Sequence, residues 1–524
     1  MNLLKKILSH AWKRARAVAI IDDHGTTTYL KLALGAMYFS RQIERWTQRP
    51  RIGLMLPTGA AAPMCIMGAW MAKRIPVPMN FMLSKEELAY IIRDAELDTI
   101  LTVKPLIDHL GGPTILPPEI KVVYLDELTP PKWPTLRWPP EHGDDEVAAI
   151  LYTSGTSGRP KGVLLTHGNF VANLLGCIEH AKLERGDTFL GVLPQFHCFG
   201  LTALTLAPLA LGAKVVYTAR FVPKRLVELF RKHRPQIFMA VPSMYKALLG
   251  VKDANRTDFV SLRFPVSGGE PLQEATLKEW QERFGVMLLE GYGLTETSPV
   301  ISWCSPTHNR PGSVGRPLPG VRVLILDDKN IPLGPDADGE IVVSGATVMA
   351  GYFKLPELTR EVMVEVFAAE STGPQRRMYF RTGDIGRLDR DGFLYITGRK
   401  KEMMIVAGEN VFPREIEEIL QKHPALKDVG VIGRPDESRG EVPVAFVELK
   451  PGMTVNPGEL RIFCRQKLAG YKVPRDVFTV PHLPLSPTGK VQRRLLAQGY
   501  DYYVAQAQAY EKELAAATHN PPAH

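Results

Sequence analysis

The stretch Tyr152-Thr-Ser-Gly-Thr-Ser-Gly-Arg-Pro-Lys-Gly162 decides how this 524-residue chain is interpreted. It follows an apolar run, Val147 to Leu151, that has the pattern of a buried strand. Glycines let backbone N–H groups turn toward an anion, hydroxyls add donors, and a lysine adds positive charge. The sequence therefore predicts a phosphate-binding loop with the ligands Thr153, Ser154, Gly155, Thr156, Ser157, Gly158 and Lys161.

The end of this loop separates it from the Walker A type. That pattern requires Gly-Lys-Ser/Thr, whereas Lys161 stands between Pro160 and Gly162, so no hydroxyl follows the lysine to hold magnesium. We expect ATP as the ligand, in a site that is not that of a P-loop NTPase. The alternative is an ordinary Ser/Thr/Gly-rich surface loop.

Length and charge limit the classes of protein. A chain of 524 residues is too long to fold around one hydrophobic core, so its length predicts two or more domains. Lys and Arg total 64 against 55 Asp and Glu, a net charge of +9 that suits anionic substrates and also anionic membrane surfaces. Basic and aromatic residues are not interleaved as in proteins that grip single-stranded nucleic acid, so we expect no nucleic-acid partner.

Cysteine usage indicates a reducing compartment. The five cysteines are scattered and form no Cys-x-x-Cys pair, which supports neither a disulfide framework nor a zinc site. We therefore predict a cytoplasmic protein.

Two segments bear on membrane contact. The apolar stretch Phe199 to Ala213 is interrupted by Pro208 and falls short of the ~20 residues of a spanning helix. Residues 1–21 mix lysines and arginines with leucine, isoleucine and Trp12, a pattern found in segments that rest peripherally on the inner membrane surface. A plain surface helix is the alternative interpretation.

The order of apolar segments predicts an α/β fold. From Arg51 onward, short strand-like runs alternate with helix-like segments such as Lys85 to Arg93, the βαβ rhythm of a mostly parallel sheet. The runs include Lys214 to Tyr217, Ile237 to Val241 and Val286 to Leu289. After Gly320, short strands closed by Asp-Asp and Asp-Gly turns predict a meander or small barrel. Beyond Thr397 a compact α+β unit follows. We predict a large N-terminal domain, residues 1–398, and a small mobile C-terminal domain, residues 399–524, with a hinge at 399–401.

Further motifs appear with the loop at Tyr152 in a fixed order. They are Gly291-Tyr-Gly-Leu-Thr-Glu-Thr-Ser298, Tyr379-Phe-Arg-Thr-Gly-Asp-Ile-Gly386, Gly398-Arg-Lys-Lys401, Gly408-Glu-Asn-Val-Phe-Pro-Arg-Glu-Ile-Glu417 and Pro487-Thr-Gly-Lys490. With these motifs the chain resembles the acyl-adenylate-forming, AMP-dependent synthetase and ligase superfamily. The likeness covers roughly residues 50 to 495 and looks nearest to long-chain fatty acyl-CoA ligases and acyl–acyl carrier protein synthetases.

Several matched residues have a chemical reason of their own. Glu296 is placed to hold Mg²⁺ on ATP, and the Thr295 hydroxyl to donate to the α-phosphate. Tyr292 offers a flat face for adenine, and the turn at Gly268 and Gly269 brings backbone close to the base. Asp384 can accept two hydrogen bonds from ribose hydroxyls. The alternatives are solvated loop acids for Glu296 and Asp384 and a core residue for Tyr292.

The resemblance implies further roles in the C-terminal region. Arg399 corresponds to a second ribose contact and Lys401 to the hinge residue. Lys490 corresponds to the lysine that bridges the acid's carboxylate and the α-phosphate, and Gly408 to a loop that lines the pantetheine tunnel. The alternatives are exposed hinge or turn residues.

The segment Pro194 to Gly200 bears on the acid. His197 resembles the family's aromatic gate between the acid and thiol channels, against the alternative of a hydrogen-bonded core histidine. Amino-acid-activating relatives place an aspartate here, whereas this segment carries no charge, so an apolar acyl chain is expected. The wall of its pocket is predicted to include Phe196, Phe199, Val241, Met244 and Tyr245.

The resemblance implies an acid–thiol ligase that works in two steps. A carboxylic acid, expected to be a medium- or long-chain fatty acid, reacts with ATP and Mg²⁺ to give acyl-AMP and pyrophosphate. The acyl group then passes to coenzyme A, or alternatively to acyl carrier protein. A catalytically idle acyl-nucleotide-binding protein is the rival of another class, and the intact Lys161, Glu296, Asp384 and Lys490 speak against it.

Overall fold

The computed structural model describes residues 2–129, 136–154, 159–368, 375–485 and 491–519. The chain divides into two compact units. The N-terminal unit comprises Met1–Leu324, Val342–Thr382 and Asp391–Leu394, and the C-terminal unit comprises Ile325–Ile341, Gly383–Arg390 and Tyr395–His524. Because the units interleave between 325 and 394, the sharp boundary at residue 399 stays a prediction.

The elements follow in chain order. The strands are β1 (Val18–Asp22), β2 (Gly25–Thr28), β3 (Arg51–Leu54), β4 (Ile75–Pro78), β5 (Thr99–Thr102), β6 (Lys121–Tyr124), β7 (Val147–Ser154), β8 (Pro160–Thr166), β9 (Thr188–Gly191), β10 (Lys214–Tyr217), β11 (Ile237–Ala240), β12 (Phe264–Gly268), β13 (Leu289–Gly293), β14 (Val300–Trp303), β15 (Arg316–Pro317), β16 (Arg322–Leu326), β17 (Gly339–Ser344), β18 (Gly351–Tyr352), β19 (Met363–Ala368), β20 (Gln375–Leu388), β21 (Leu394–Arg399), β22 (Met404–Val406), β23 (Glu409–Val411), β24 (Leu426–Asp436), β25 (Gly440–Leu449) and β26 (Asp476–Thr479). The α-helices are α1 (Leu3–Lys13), α2 (Tyr29–Trp46), α3 (Ala61–Met71), α4 (Lys85–Asp94), α5 (Lys104–His109), α6 (His167–Ala181), α7 (Cys198–Leu201), α8 (Ala207–Leu211), α9 (Pro223–His233), α10 (Pro242–Leu249), α11 (Arg256–Phe259), α12 (Glu274–Phe284), α13 (Pro356–Glu361), α14 (Pro413–Leu420), α15 (Pro457–Arg465), α16 (Arg493–Gln498) and α17 (Tyr500–His519).

The largest sheet of the described residues positions the candidate site. Its order is β15-β14-β13-β12-β11-β9-β10-β1-β2, and the run from β13 to β10 is parallel. Strands β9 and β11 are buried along their whole length, which explains the uninterrupted apolar sequence of β11 and the apolar centre of β9. The carboxyl ends of β9, β11, β12 and β13 meet at one edge, where open α/β sheets bind ligands.

Three smaller sheets accompany the largest one among the residues up to Arg399 that the structure describes. A parallel sheet has the order β4-β3-β5-β6, and an antiparallel one has the order β18-β8-β7. Residues 322–399 supply a further sheet in the order β16-β17-β20-β19, with β21 beside β20. The predicted α/β class is confirmed.

The packing of helix α1 does not support the prediction that residues 1–21 rest on a membrane surface. Leu3, Leu4, Ile7 and Leu8 are at most 3% exposed, because α1 packs on α2 and α8. The ring of His10 bonds the Ala210 carbonyl at 3.0 Å. The apolar face predicted to meet a bilayer is therefore occupied by protein. Among the described residues, no helix combines the length and apolarity of a membrane span.

The C-terminal unit has its own cores. The sheet β23-β22-β25-β24, with β26 beside β25, is covered by α14 and α15 on one face. Met404, Ile416, Val431 and Leu460 belong to the cluster between them, and Ile432, Phe446 and Leu496 to a second cluster. This is the α+β unit that the sequence predicts.

Candidate active site

The predicted phosphate loop connects the two strands of a β-hairpin. β7 pairs with β8 so that Thr153 lies opposite Lys161 and Tyr152 opposite Gly162. Directly opposed side chains of an antiparallel pair share a face, so the Thr153 hydroxyl and the Lys161 ammonium project to the same side. Residues Gly155, Thr156, Ser157, Gly158 and the side chain of Ser154 lie outside the described residues.

Tyr352 joins the two charged side chains that the sequence singles out in the N-terminal unit. Its hydroxyl donates a 2.8 Å hydrogen bond to Oε1 of Glu296, and the Lys161 ammonium lies 5.5 Å from the centre of its ring. Lys161 and Glu296 are therefore two sides of one cluster. Tyr352 is 8% exposed, and its burial, followed by the charge of Glu296, raises its pKa. The hydroxyl consequently stays protonated and donates.

The backbone around Tyr352 explains this placement. β18 pairs with β8 so that Tyr352 lies opposite Val163, which makes Lys161 its diagonal neighbour. The Phe353 N–H donates to the Gly162 carbonyl at 2.7 Å, and the Met349 N–H donates to the Glu296 carbonyl at 2.8 Å. Residues 349–353 thus connect the phosphate hairpin to the turn that carries Glu296. No sequence motif singles out Tyr352, because only strand pairing brings it to residues 161 and 296.

The turn carrying Thr295 and Glu296 is fixed from behind. The Thr297 hydroxyl donates to the Pro299 carbonyl at 2.7 Å, and the buried Asn173 amide donates to the Val300 carbonyl at 2.8 Å. A Cβ at Gly293 would lie 2.0 Å from the Pro299 carbonyl oxygen, so no larger residue fits there. The turn is therefore preorganised.

The predicted adenine platform lies at the adjacent strand ends. β12 and β13 are parallel neighbours, with Gly268 opposite Gly291. Gly269, at φ +81°, adopts a left-handed conformation that favours glycine. Half-buried Tyr292 follows on β13. The structure thus brings Gly268, Gly269 and Tyr292 together, and their contact with adenine stays a prediction.

The predicted acid segment borders this glycine turn. A Cβ at Gly268 would lie 3.2 Å from the Phe199 ring, and one at Gly269 would lie 3.7 Å from Cγ1 of Val241. Phe199, Val241 and Met244 are half-buried, as wall residues should be. Tyr245 differs: it is fully buried, packs on Trp280 at 5.0 Å, and donates to the carbonyls of Phe238 and Val266. It is a core residue rather than part of the wall.

His197 precedes α7 beside Phe196, with ring centroids 4.7 Å apart. His197 is exposed to solvent. Desolvation by the surrounding protein lowers the pKa of His197 and favours the neutral imidazole. This exposed position differs from the alternative of a buried core histidine.

The C-terminal unit brings two predicted ribose ligands together. Nε of Arg399 lies 3.0 Å from Oδ1 of Asp384, whose side chain is 4% exposed. In the same unit, Nζ of Lys400 lies 3.0 Å from Oε2 of Glu340. The pairing orients the Asp384 carboxylate, and its contact with ribose stays a prediction.

Two other predicted positions belong to this unit. Gly408 is exposed in the turn between β22 and β23, at φ +86°. Lys490 lies outside the described residues, so the role predicted for it stays a prediction.

The chemistry of the donors fits a magnesium ion held with ATP. No group of three or more metal-ligating side chains occurs in the part of the chain that the structure describes. Mg²⁺ commonly binds proteins through one or two carboxylates together with substrate phosphates. Glu296 supplies such a carboxylate, and among the described side chains only Tyr352 hydrogen-bonds to it.

Two family models match successive parts of the chain. Residues 8–353 match the AMP-binding enzyme family, and residues 415–490 match the AMP-binding enzyme C-terminal domain. The chain is 33% identical to a long-chain-fatty-acid–CoA ligase of Bacillus subtilis, over 86% of this chain and 85% of that protein. It is 30% identical to a 2-succinylbenzoate–CoA ligase of a Geobacillus species, over 94% and 96%.

A solved structure shows the same fold. The o-succinylbenzoate coenzyme A synthetase of Bacillus subtilis, in complex with ATP and magnesium ion, superposes with a TM-score of 0.81 at 29% identity. The match covers 95% of this chain and 99% of that one. The relatives share CoA ligation but differ in their acids.

Proposed function

The chain belongs to the AMP-binding enzyme family, whose members similar to it are acid–CoA ligases, and on that premise we propose that its acid is a medium- or long-chain fatty acid and its acceptor coenzyme A. The proposal comprises two displacements. A carboxylate oxygen bonds to the α-phosphorus of ATP as the bond to the bridging oxygen breaks and pyrophosphate leaves. The sulfur of the thiol, having lost its proton, then bonds to the acyl carbon as AMP departs.

The N-terminal cluster supports the first displacement. Lys161 offers a positive charge to the phosphates, and Tyr352 holds both Lys161 and the Glu296 carboxylate in place. Preorganised charges stabilise the charge that develops in the transition state because they need no rearrangement during reaction. Magnesium, when held through Glu296, would neutralise charge on the phosphates.

The apolar wall beside the glycine turn is the observation that carries the choice of acid. Phe199 faces Gly268 and Val241 faces Gly269, and Pro194 to Gly200 carries no charged side chain that would pair with an ammonium or a second carboxylate. A fatty acyl chain matches such a lining, because burying a charged group there without a partner would cost several kcal/mol. The fatty-acid–CoA ligase among the relatives agrees with this choice.

An acid panel tests the proposal. Pyrophosphate release is measured with ATP, Mg²⁺ and short, medium, long and aromatic acids, with coenzyme A or phosphopantetheinylated carrier protein supplied separately. We expect the highest kcat/KM with a medium- or long-chain acid, and thioester only with coenzyme A. A preference for aromatic or short polar acids would refute the choice of acid, and thioester on carrier protein alone would refute the acceptor.

A substitution at Val241 tests where the acyl chain of the acid binds. Val241→Asp places a charge beside Gly269 and is expected to lower kcat/KM for the best fatty acid by about 10²-fold. Val222→Asp, at a valine that is 48% exposed, is the matched control and should leave it unchanged. Equal effects of the two substitutions would contradict the position of the wall.

A further inference from the structure

Asp94, the last residue of helix α4, accepts a hydrogen bond from the strand that leads into the predicted phosphate loop, and none of the roles described above uses it. The Tyr152 hydroxyl of β7 donates to Oδ2 of Asp94 at 2.5 Å, across 58 residues of sequence. Burial, assisted by this hydrogen bond and by the charge of Asp94, raises the pKa of Tyr152, so its hydroxyl stays protonated and donates. Because the acceptor is a carboxylate, the bond belongs to the stronger, charge-assisted class.

Tyr152 lies behind the residues that are predicted to face ATP. It is opposite Gly162 in the β7–β8 pair, one residue before Thr153, whose own partner is Lys161. Side chains alternate along a strand, so the Tyr152 ring lies on one face of the hairpin while Thr153 and Lys161 project from the other. A Cβ at Gly162 would lie 3.2 Å from Cζ of Tyr152, so the ring covers that glycine closely. The hydrogen bond to Asp94 therefore fixes the hairpin from its back face, where the two strands pair.

Helix α4 contacts the hairpin at a second point. Tyr90 lies one turn before Asp94 on α4, so the two side chains share a face of the helix. The guanidinium of Arg159, the residue before β8, lies 5.9 Å from the centre of the Tyr90 ring. Buried residues of α4 also belong to one apolar cluster with Ile150 of β7. The end of β7 and the residue before β8 therefore contact the same face of one packed helix.

The same end of α4 contacts the segment that follows β18. Nζ of Lys354, two residues after Tyr352, lies 2.8 Å from the Asp94 carbonyl oxygen and 2.7 Å from Oε1 of Glu96. The side chains of Lys354 and Glu96 are 43% and 46% exposed, and an ion pair as exposed as this contributes little. The half-buried hydrogen bond between the Asp94 carboxylate and the hairpin is therefore the contact whose loss should matter most.

We propose that Asp94 is a positioning residue, which acts through the Tyr152 hydroxyl to fix Thr153 and Lys161 where they bind the phosphates of ATP. The proposal rests on the proposed function in one respect, since it takes Lys161 as a ligand of those phosphates. When the hydrogen bond is lost, β7 and β8 stay paired, but the hairpin is no longer anchored to α4 by Asp94. ATP, which presents three phosphates to the hairpin, then loses affinity, whereas AMP, which presents one, is affected less.

Variants of the full-length protein test this: Asp94→Asn, Tyr152→Phe, the double variant and, as matched control, Glu86→Gln. Glu86 is an exposed carboxylate on the same helix. Asp94→Asn keeps the shape of the side chain and loses its charge, and Tyr152→Phe keeps the ring and loses the donor. The dissociation constants of ATP with Mg²⁺ and of AMP are measured without acid or thiol. Unfolding by urea is followed for each protein.

We expect Tyr152→Phe to weaken ATP binding about tenfold, as the loss of a hydrogen bond to a charged group implies, and AMP binding by less than about threefold. Asp94→Asn should have a smaller effect on ATP, because the amide oxygen still accepts a hydrogen bond but without the charge. The double variant should match Tyr152→Phe rather than the product of the two single effects, since both substitutions act on one bond. Glu86→Gln should bind both nucleotides as wild type does.

Three results would overturn the proposal. Equal losses of ATP and AMP affinity would indicate a general disturbance of the fold. A lower free energy of unfolding with unchanged nucleotide binding would assign the contact to stability alone, and multiplying effects in the double variant would show that the two residues act separately. No acid is present in these measurements, so they are independent of the acid proposed above. A wild-type protein that binds ATP and releases no pyrophosphate with any acid would instead refute the proposed function.

Discussion

Tyr352 shows how a site residue can combine two contacts that no local motif reveals. Its ring lies under the Lys161 ammonium while its hydroxyl donates to Glu296. Lys161 and Glu296 are predictable because a lysine in a glycine-rich loop and an acid after a glycine-rich strand suggest their chemistry in sequence. Tyr352 is not, since its role depends on a two-residue strand pairing with β8. The prediction that Tyr245 lines the acid pocket was wrong, because an aromatic residue near a site in sequence can equally belong to the core.

The substitution Tyr352→Phe removes the hydroxyl of Tyr352 and keeps its aromatic ring. In Tyr352→Phe the cation–π contact remains and the hydrogen bond to the carboxylate is lost, a change worth about 1.5–3 kcal/mol. We expect pyrophosphate release to fall at least about tenfold, and the Mg²⁺ concentration for half-maximal rate to rise. Tyr124→Phe, on β6, is the control. A rate within twofold of wild type would show that Glu296 does not depend on Tyr352.

His167, the first residue of helix α6, is buried where the charged imidazolium is disfavoured. His167 is 3% exposed, packs against Trp70 at 5.1 Å and stacks on His142 at 4.3 Å. Burial lowers its pKa to about 3, assisted by the charges of His142 and Lys73 and opposed by that of Glu146. The positive end of the helix dipole also disfavours an imidazolium at this position. The native ring is therefore neutral.

This lowered pKa predicts a pH dependence of stability. Between pH 6.5 and about 3 the unfolded state binds one proton that the folded state does not, so the free energy of unfolding falls as pH falls. In wild type this histidine should lower the free energy of unfolding by about 2 kcal/mol between pH 6.5 and pH 5, and His167→Phe should remove that decrease. Urea unfolding at the two pH values measures it, with exposed His109→Phe as control. Identical pH dependence in wild type and His167→Phe would contradict the assignment.

Element boundaries show where sequence patterns succeed and where they fail. Apolar runs predict β10 and β11 closely, because these strands are buried on both faces. The run Val286 to Leu289 predicts a strand that in fact occupies Leu289–Gly293, since β13 aligns Leu289 with Val266 and extends through two glycines. Glycines weaken a strand signal, yet here they are required by the close approach of the Trp303 side chain and the Pro299 backbone.

At the scale of the whole molecule, the order of motifs predicts the family, and the family implies a C-terminal domain that pivots at Lys401. That pivot is not derivable from periodicity or composition. The exposed 3-10 turn Lys400–Glu402, between β21 and β22, is the local setting in which a pivot residue would act.

A proline at the pivot tests this expectation. Lys401→Pro fixes φ near −65° and removes a backbone donor, so it should stiffen the turn. We expect adenylation within threefold of wild type and thioester formation reduced by at least tenfold. Lys401→Ala separates loss of the side chain from loss of backbone freedom, and it should retain both steps. Unchanged thioester formation in Lys401→Pro would argue against a pivot at this residue.

We propose that one nucleotide site joins an organic acid to AMP as a mixed anhydride. The direct measurement is acid-dependent pyrophosphate release by the purified protein with ATP and Mg²⁺, before any thiol is added, with trapping of the acyl-adenylate. We expect pyrophosphate and acyl-AMP in equal amounts with a medium- or long-chain acid, and loss of both in Lys161→Met. Absence of pyrophosphate release with every acid, or release that does not depend on acid, would contradict it.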